Sequence, residues 1–137
     1  MEQQQNIEQQ LYQFRYLREQ RDMLSEQLEI VNASLGNLIN TKSTVENLKN
    51  VREGEEILVP IGGMVNVKGI IKNPEKLLLY VNQDVVIEKD PDQTVEFLDK
   101  LIEQHREQIN YLSKQIQSLE MNLQSMSQNL QRYSPQR

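Results

Sequence analysis

A regular spacing of apolar side chains in the last forty residues constrains the fold of this chain more than any other feature. From residue 98 to residue 133 the intervals alternate between four and three residues without interruption, and mostly polar residues separate them. An apolar stripe that recurs every 3.5 residues keeps facing one partner only when two helices supercoil around each other. The segment is therefore predicted to form one helix of a coiled coil, with a seam of Leu98, Ile102, His105, Ile109, Leu112, Ile116, Leu119, Leu123, Met126, Leu130 and Tyr133.

A second stripe of the same kind lies in the first fifty residues. Helices predicted over residues 6–53 and 91–133 would measure roughly 70 Å and 65 Å at about 1.5 Å per residue, and these similar lengths favour antiparallel pairing within one chain. A parallel pairing of two chains is the alternative, although it would leave each stripe in need of a separate partner. The second stripe consists of two rows, Ile7, Phe14, Leu28 and Leu35, and Leu17, Leu24, Val31, Leu38 and Val45.

The segment between the helices, residues 55–90, has the composition of short strands. Runs of aliphatic and β-branched residues alternate with turn-forming residues such as Asn73-Pro74, which predicts two β-hairpins. The run from Leu77 to Val81 has no polar alternation, so both of its faces should be covered. Small hairpin sheets are marginal alone, and their edges invite pairing with other chains. We therefore expect an oligomerisation module whose interface includes Ile57, Val59, Ile61, Val65, Val67, Leu77, Leu79, Val81 and Val86.

Both boundaries of the hairpin segment carry helix signals. Asp90 is suited to cap the second helix, Pro91 to its first position, and Gln93 to complete a capping box. At the other boundary, Lys49 in the last turn followed by Gly54 predicts the end of the first helix. Together these features predict an α+β fold, a long antiparallel two-helix coiled coil with two β-hairpins inserted between the helices, organised as a single domain.

The composition narrows the classes of function. The chain has 137 residues, a net charge of −5 and no Cys, so we expect no disulfide, no thiolate metal site and no binding to nucleic acid or to a membrane. The polar N-terminal residues differ from a secretory signal, and no apolar run is long enough to span a bilayer, which favours the cytosol. The only His occupies seam position 105, and no Gly-rich nucleotide motif is present, so we expect no enzyme, no cofactor and no metal.

Three segments of the central region have a recognisable pattern: Leu58–Gly63, Val67–Gly69 and Val85–Lys89. The order of long helix, two hairpins and long helix is a second recognisable feature. In these features the chain resembles the prefoldin family, and specifically its α-type subunit, because β-type subunits have one hairpin. The turn at residues 82–84 departs from the Gly-containing turn common in that family. We still expect the hairpin to form, because Asn and Asp tolerate left-handed conformations.

The resemblance implies a hexamer of two α-type and four β-type subunits, in which the strands join into a β-barrel platform and the helical hairpins hang from it. It also implies capture of unfolded proteins without ATP and their delivery to a group II chaperonin. Because unfolded proteins differ from folded ones in their exposed apolar surface, accessible apolar side chains at the free helix ends are the expected client site. The predicted client-binding residues are Ile7, Leu11, Phe14, Met126, Leu130 and Tyr133.

Two other functions are compatible with the same pattern. A structural coiled-coil scaffold would bind defined partners and would not protect unrelated denatured proteins. A prefoldin-like subunit of a different assembly would share the fold and differ only in its partners. The sequence leaves both alternatives open.

Overall fold

Two long helices dominate the computed structural model, which describes residues 1–132. Helix α1 spans Glu2–Leu48 and helix α2 spans Pro91–Arg132. The predicted α+β fold, with two hairpins inserted between two long helices, is confirmed. The strands that lie between the helices in the chain are β1 (Glu56–Pro60), β2 (Asn66–Ile70), β3 (Leu77–Tyr80) and β4 (Val86–Lys89).

The start of α2 has the capping box that the sequence predicts. The N–H of Gln93 donates to Oδ1 of Asp90 at 2.7 Å, and the N–H of Asp90 donates to Oε1 of Gln93 at 3.3 Å. The hydroxyl of Thr94 is buried but donates to the carbonyl of Asp90 at 2.8 Å. These bonds satisfy polar groups that a helix start otherwise leaves unpaired, so α2 begins at a defined residue.

The bounds of α1 differ from the sequence prediction, because it begins at Glu2 rather than residue 6 and ends at Leu48 rather than residue 53. The N–H groups of residues 49–51 donate to carbonyls three residues earlier, and this tighter turn stops the α-helix. Gly54 does adopt a left-handed conformation, with φ of 86°. Its N–H donates to the carbonyl of Ile71 at 2.8 Å, so Gly54 shapes the entry into the first hairpin and does not cap α1.

Strands β1 and β2 form the first hairpin, a two-stranded antiparallel sheet. Val59 lies opposite Val67 in its register. Beyond the strands, the N–H of Ile61 donates to the carbonyl of Val65 at 2.9 Å and extends the ladder into the turn. Backbone hydrogen bonds therefore close the hairpin. The aliphatic side chains of its sequence do not specify these bonds.

Strands β3 and β4 form the second hairpin, in which Leu79 lies opposite Ile87. The side chain of Asn82 holds its turn, because Oδ1 accepts hydrogen bonds from the N–H groups of Asp84 at 2.9 Å and Val85 at 3.0 Å. Within residues 1–132 no residue other than Gly has a positive φ. The hairpin thus forms as expected, but through an Asx-type side-chain bond and not through a left-handed residue.

Contacts group the chain into two compact units. The first unit consists of residues 1–35 and residue 104 onward, and the second of residues 36–103. The sequence predicts a single domain over residues 1–137, and this single-domain organisation stays a prediction. The most deeply buried apolar side chains are Val31, Leu112 and Leu123 in the first unit and Val45, Leu98 and Ile102 in the second.

The helices run antiparallel within each unit. In the second unit, Nζ of Lys42 lies 2.6 Å from Oδ1 of Asp99, and Nζ of Lys49 lies 2.5 Å from Oδ1 of Asp92. From the first ion pair to the second, the position on α1 moves toward the C-terminus, and the position on α2 moves toward the N-terminus by the same number of residues. In the first unit the same opposition appears in a cleft lined by Gln10, Gln13 and Leu17 of α1 and by Asn122, Met126 and Asn129 of α2.

Candidate functional site

The ends of the helices in the first unit hold the predicted client-binding residues. Leu11 faces outward and is 39 % exposed. Tyr133 lies outside the described residues. The other four are half-buried, so each presents part of its apolar surface to solvent: Ile7, Phe14, Met126 and Leu130.

Partial exposure is not confined to the helix ends. Leu24 and Leu28, farther along the same seam, are also half-buried. At the helix end, the cleft makes the side chains of Leu17 and Met126 accessible between side-chain amides of Gln and Asn. Met is suited to contacts with varied partners because its side chain is flexible and polarizable.

Polar side chains interrupt the seam of the first unit. Gln10 stands seven residues before Leu17, at a position where the repeat would place an apolar residue, and it is half-buried. Farther along, Oγ of Ser34 and Nε2 of His105 share a hydrogen bond at 2.9 Å, with the donor set by the ring tautomer. His105 therefore has the structural role that its seam position predicts, and Gln10 lines the cleft.

The second hairpin has one covered and one open face. Because opposite residues of an antiparallel pair share a face, Leu77, Leu79 and Ile87 lie on one side, and all three are half-buried. The side chains of Leu78 and Tyr80 lie on the other side and are 68 % and 70 % exposed. Among the described residues one face of β3 is half-buried and the other is open, so the covering of both faces that its apolar run predicts stays a prediction.

The first hairpin is also incompletely covered. Val59 and Val67 share one face and remain exposed, whereas Ile57 on the same side is half-buried. On the opposite face, Leu58 and Ile70 are both more than half exposed. Exposed apolar patches of this kind on a small chain are typical of a protein interface.

The nine predicted interface residues separate by exposure. Three of them are half-buried against their own chain, namely Ile57, Leu77 and Leu79, and six are exposed, namely Val59, Ile61, Val65, Val67, Val81 and Val86. Their role in an interface stays a prediction. Four residues outside the predicted set are among the more exposed apolar side chains of the hairpins: Leu58, Ile70, Leu78 and Tyr80. In the sequence, only the period of two along a strand could have indicated them.

An ion pair joins the two helices beside the hairpins in the second unit. The ammonium of Lys49 donates to Oδ1 of Asp92, and this hydrogen bond is the main cause that raises the pKa of Lys49 above its ordinary value of 10.5. Loss of hydration acts in the opposite direction, and the nearby carboxylates of Glu46 and Asp90 add to the increase. Lys49 is therefore fully protonated at neutral pH and ties the end of α1 to the start of α2.

Residues 1–132 contain neither a membrane-spanning helix nor a cluster of metal ligands. No helix there is both long and apolar enough to cross a bilayer. Within the same residues, no three or more His, Asp or Glu side chains are grouped so that they could hold a metal ion.

Comparison with known proteins identifies the family. The sequence pattern described as "Prefoldin subunit" matches residues 17–136. The prefoldin subunit alpha of Pyrococcus horikoshii is 31% identical over 104 residues, which cover 75% of this chain and 70% of that protein. The prefoldin subunit alpha 1 of Thermococcus kodakarensis is 34% identical over 100 residues, which cover 72% and 68%.

A solved structure supports the fold independently. The filamentous PFD of Methanocaldococcus jannaschii, determined by cryo-EM, superposes with a TM-score of 0.71 at 20% identity, over 82% of this chain and 93% of that chain. Its likeness concerns the fold alone, whereas the sequence matches concern the family. On these matches, the chain belongs to the prefoldin family as an α-type subunit.

Proposed function

We propose that this chain joins β-type prefoldin subunits through its hairpins, in a hexamer of two α-type and four β-type subunits. The assembly captures unfolded proteins at the helix ends without ATP and delivers them to a group II chaperonin, in the cytosol. As a prefoldin subunit, the chain is a chaperone component and not an enzyme. The observation that carries the proposal is the presence of two separate sets of uncovered apolar side chains, on the hairpins and at the helix ends.

The hairpins support the assembly part of the proposal. Leu78 and Tyr80 of the second hairpin and Leu58 and Ile70 of the first are more than half exposed. Two-stranded sheets with an open apolar face are marginal in water, and burial of apolar area is the main favourable term in association. Pairing with strands of other subunits would cover these faces and satisfy the open strand edges.

The helix ends support the capture part. Leu11 is exposed, and the cleft beside Gln10 leaves the side chain of Met126 accessible. A fully buried apolar side chain contributes about 1.5–3 kcal/mol, and a partly wet contact contributes less, so each grip is weak and reversible. Several subunits that hold one client raise the effective concentration of the remaining contacts, which allows firm capture overall.

The test replaces apolar side chains at the helix ends by Ser in one triple variant, I7S/L11S/L130S. Assembly with β-type subunits should be unchanged, because none of these residues lies in the hairpins. Protection of a denatured client from aggregation should require about tenfold more of the complex, since each lost contact weakens capture. Light scattering during dilution of the client from denaturant measures the protection.

The matched control is I39S/Y111S/M121S, which also replaces three apolar side chains by Ser, here at exposed positions elsewhere on the helices. This control should protect the client as the natural chain does. Equal protection by the natural chain and by the helix-end variant would refute capture at the helix ends. Release of bound client on addition of a group II chaperonin, followed by fluorescence, tests delivery separately.

A further inference from the structure

The outward face of α1 carries a second apolar stripe that the coiled-coil seam does not use. Tyr12, Tyr16, Met23 and Ile30 are each more than half exposed. On a helix with 3.6 residues per turn, residues three, four or seven apart lie on the same side. These four side chains therefore form a single ridge, which we call the outer ridge of α1 and which lies within the first unit.

Carboxylates interrupt the outer ridge at regular intervals. Glu8 lies four residues before Tyr12, Glu19 lies between Tyr16 and Met23, and Glu26 between Met23 and Ile30, always at intervals of three or four. All three carboxylates are exposed. In the described part of the chain none of them takes part in an ion pair. Their charges are therefore available to a partner that lies along the ridge.

The residues that border the outer ridge do not offset the charge of its three carboxylates. One border carries Arg15 together with Asp22 and Glu29, and Asp22 is paired with Arg21 at 2.9 Å. The opposite border consists of uncharged amides at positions 9, 13, 20 and 27. At its N-terminal end, the ridge borders a shallow depression lined by Gln5, Glu8, Gln9, Tyr12, Gln13 and Tyr16.

We infer that the outer ridge of α1 binds segments of unfolded clients in which Lys or Arg alternates with apolar side chains at helical spacing. Charge complementarity identifies this occupant, because apolar and acidic side chains interleave along one line and call for apolar and basic side chains in the partner. Aromatic faces at Tyr12 and Tyr16 also favour cations. The distance along α1 from Glu8 to Ile30 is roughly 33 Å at about 1.5 Å per residue. A helical client segment with about the same number of residues would have the same length.

The inference rests on the proposed client capture and specifies the clients it favours. Apolar contacts at the helix ends accept any exposed apolar segment, whereas the outer ridge selects basic ones. Helix α2 has no comparable pattern among its described residues. Exposed Tyr111 is flanked at helical spacing by Glu107 on one side and Lys114 on the other, so its surroundings are balanced in charge.

The experiment measures binding of two fluorescent peptides of about 20 residues to the full chain assembled with its β-type partners. The basic peptide repeats Leu and Lys at heptad spacing, and the acidic peptide has Glu in place of every Lys. We expect the basic peptide to bind more tightly than the acidic one, and its affinity to fall as NaCl is raised, because salt screens exposed charges.

Two variants of the outer ridge test the assignment. E8Q/E19Q/E26Q should weaken binding of the basic peptide about tenfold, since each surface ion pair changes affinity about twofold to threefold. Y16S/M23S should weaken it by about the same factor through lost apolar contact. The matched controls E103Q/E107Q/E120Q and Y111S/M121S remove equal charge and equal apolar surface from α2 and should leave the affinity unchanged.

Each other outcome has a definite meaning. If the ridge variants and the α2 controls bind the basic peptide equally well, the outer ridge is not its site and the inference is wrong. If native mass spectrometry shows that Y16S/M23S instead changes the number of copies of this chain, the ridge contacts a second copy, which also overturns the inference. Loss of client protection in I7S/L11S/L130S with peptide binding retained would separate the outer ridge from the helix ends. Binding of the basic peptide by a natural assembly that protects no client would refute the proposed function alone.

Discussion

Single residues fix where the elements of this protein begin and how its helices are matched. Asp90 and Gln93 exchange two hydrogen bonds at the start of α2, and Asn82 holds the turn of the second hairpin through its side chain. Ser34 and His105 pair across the seam. In each case a short polar side chain satisfies groups that would otherwise face solvent or remain unpaired, and this sets the local geometry.

The capping box gives a prediction at this scale. Asp90→Ala should lower the free energy of unfolding by about 1 kcal/mol, because the N–H of Gln93 loses its side-chain acceptor. Urea denaturation followed by circular dichroism measures the change. Glu96→Ala, at an exposed position of the same helix, is the control and should have little effect. A loss no larger for Asp90→Ala than for Glu96→Ala would contradict the role of the cap.

The ion pair of Lys49 with Asp92 predicts a pH dependence. Its hydrogen bond raises the pKa of Lys49 in the folded state above 10.5, so its stabilisation is complete below that value and is lost as pH rises through the raised pKa. Lys49→Gln should therefore lower Tm at pH 8, and the difference from the natural chain should shrink toward pH 12. Lys114→Gln is the control for loss of an exposed cation. A difference in Tm that stays constant over this range would rule out the pair as its cause.

The elements divide between covered and open apolar surface. In the second hairpin the alternation along the strands leaves one row of side chains half-buried and the other in solvent, whereas in the first hairpin only Ile57 and Gly69 are half-buried. Helix α1 has the same division on a period of seven, with a seam on one side and the outer ridge on the other. The open rows are the surfaces that we assign to other chains, because their apolar side chains remain exposed in the described part of the chain.

The open face of the second hairpin yields a prediction for assembly. Leu78→Asp and Tyr80→Asp should prevent the hexamer from forming, because each places a charge in a surface that must be dehydrated on association. The helix content should stay unchanged, since both side chains point away from their own chain. Light scattering coupled to size exclusion reports the mass. Leu79→Asp is the contrasting variant, because its half-buried side chain should disturb the fold as well.

At the scale of the whole molecule, the proposed function assigns different tasks to the two units. The second unit contains both hairpins, and the first contains the helix ends and the outer ridge. We therefore expect that substitutions in one unit alter assembly and that substitutions in the other alter capture. A scaffold with defined partners would not need partly exposed apolar side chains of varied shape at its helix ends.

Two dissimilar clients distinguish a chaperone from a scaffold. The chain assembled with β-type subunits should suppress aggregation of both denatured proteins in the absence of nucleotide, because apolar exposure is the feature that it recognises. The chain alone, with its hairpin faces uncovered, should protect them less well, since single weak contacts lack the gain from multivalency. Protection of one client and none of the other would favour a scaffold that recognises a specific partner.

The sequence by itself determined the architecture of this protein. The unbroken four-three spacing from Leu98 onward leaves only a coiled coil, and the strand and turn residues between positions 55 and 90 leave only hairpins, because periodicity is a local property of the chain. The start of α2 was predictable for the same reason. Local signals of this kind also sufficed to indicate the family.

Only the tertiary structure decided which side of each element is covered. The run Leu77–Val81 is apolar throughout, so its sequence cannot show that Leu79 is packed while Leu78 and Tyr80 are open. Likewise, the seam accounts for one side of α1, but the outer ridge becomes evident only from the exposure of Tyr16 and Met23 in the folded chain. Burial depends on partners distant in sequence, and for that reason a local pattern predicts elements more readily than the surfaces through which they act.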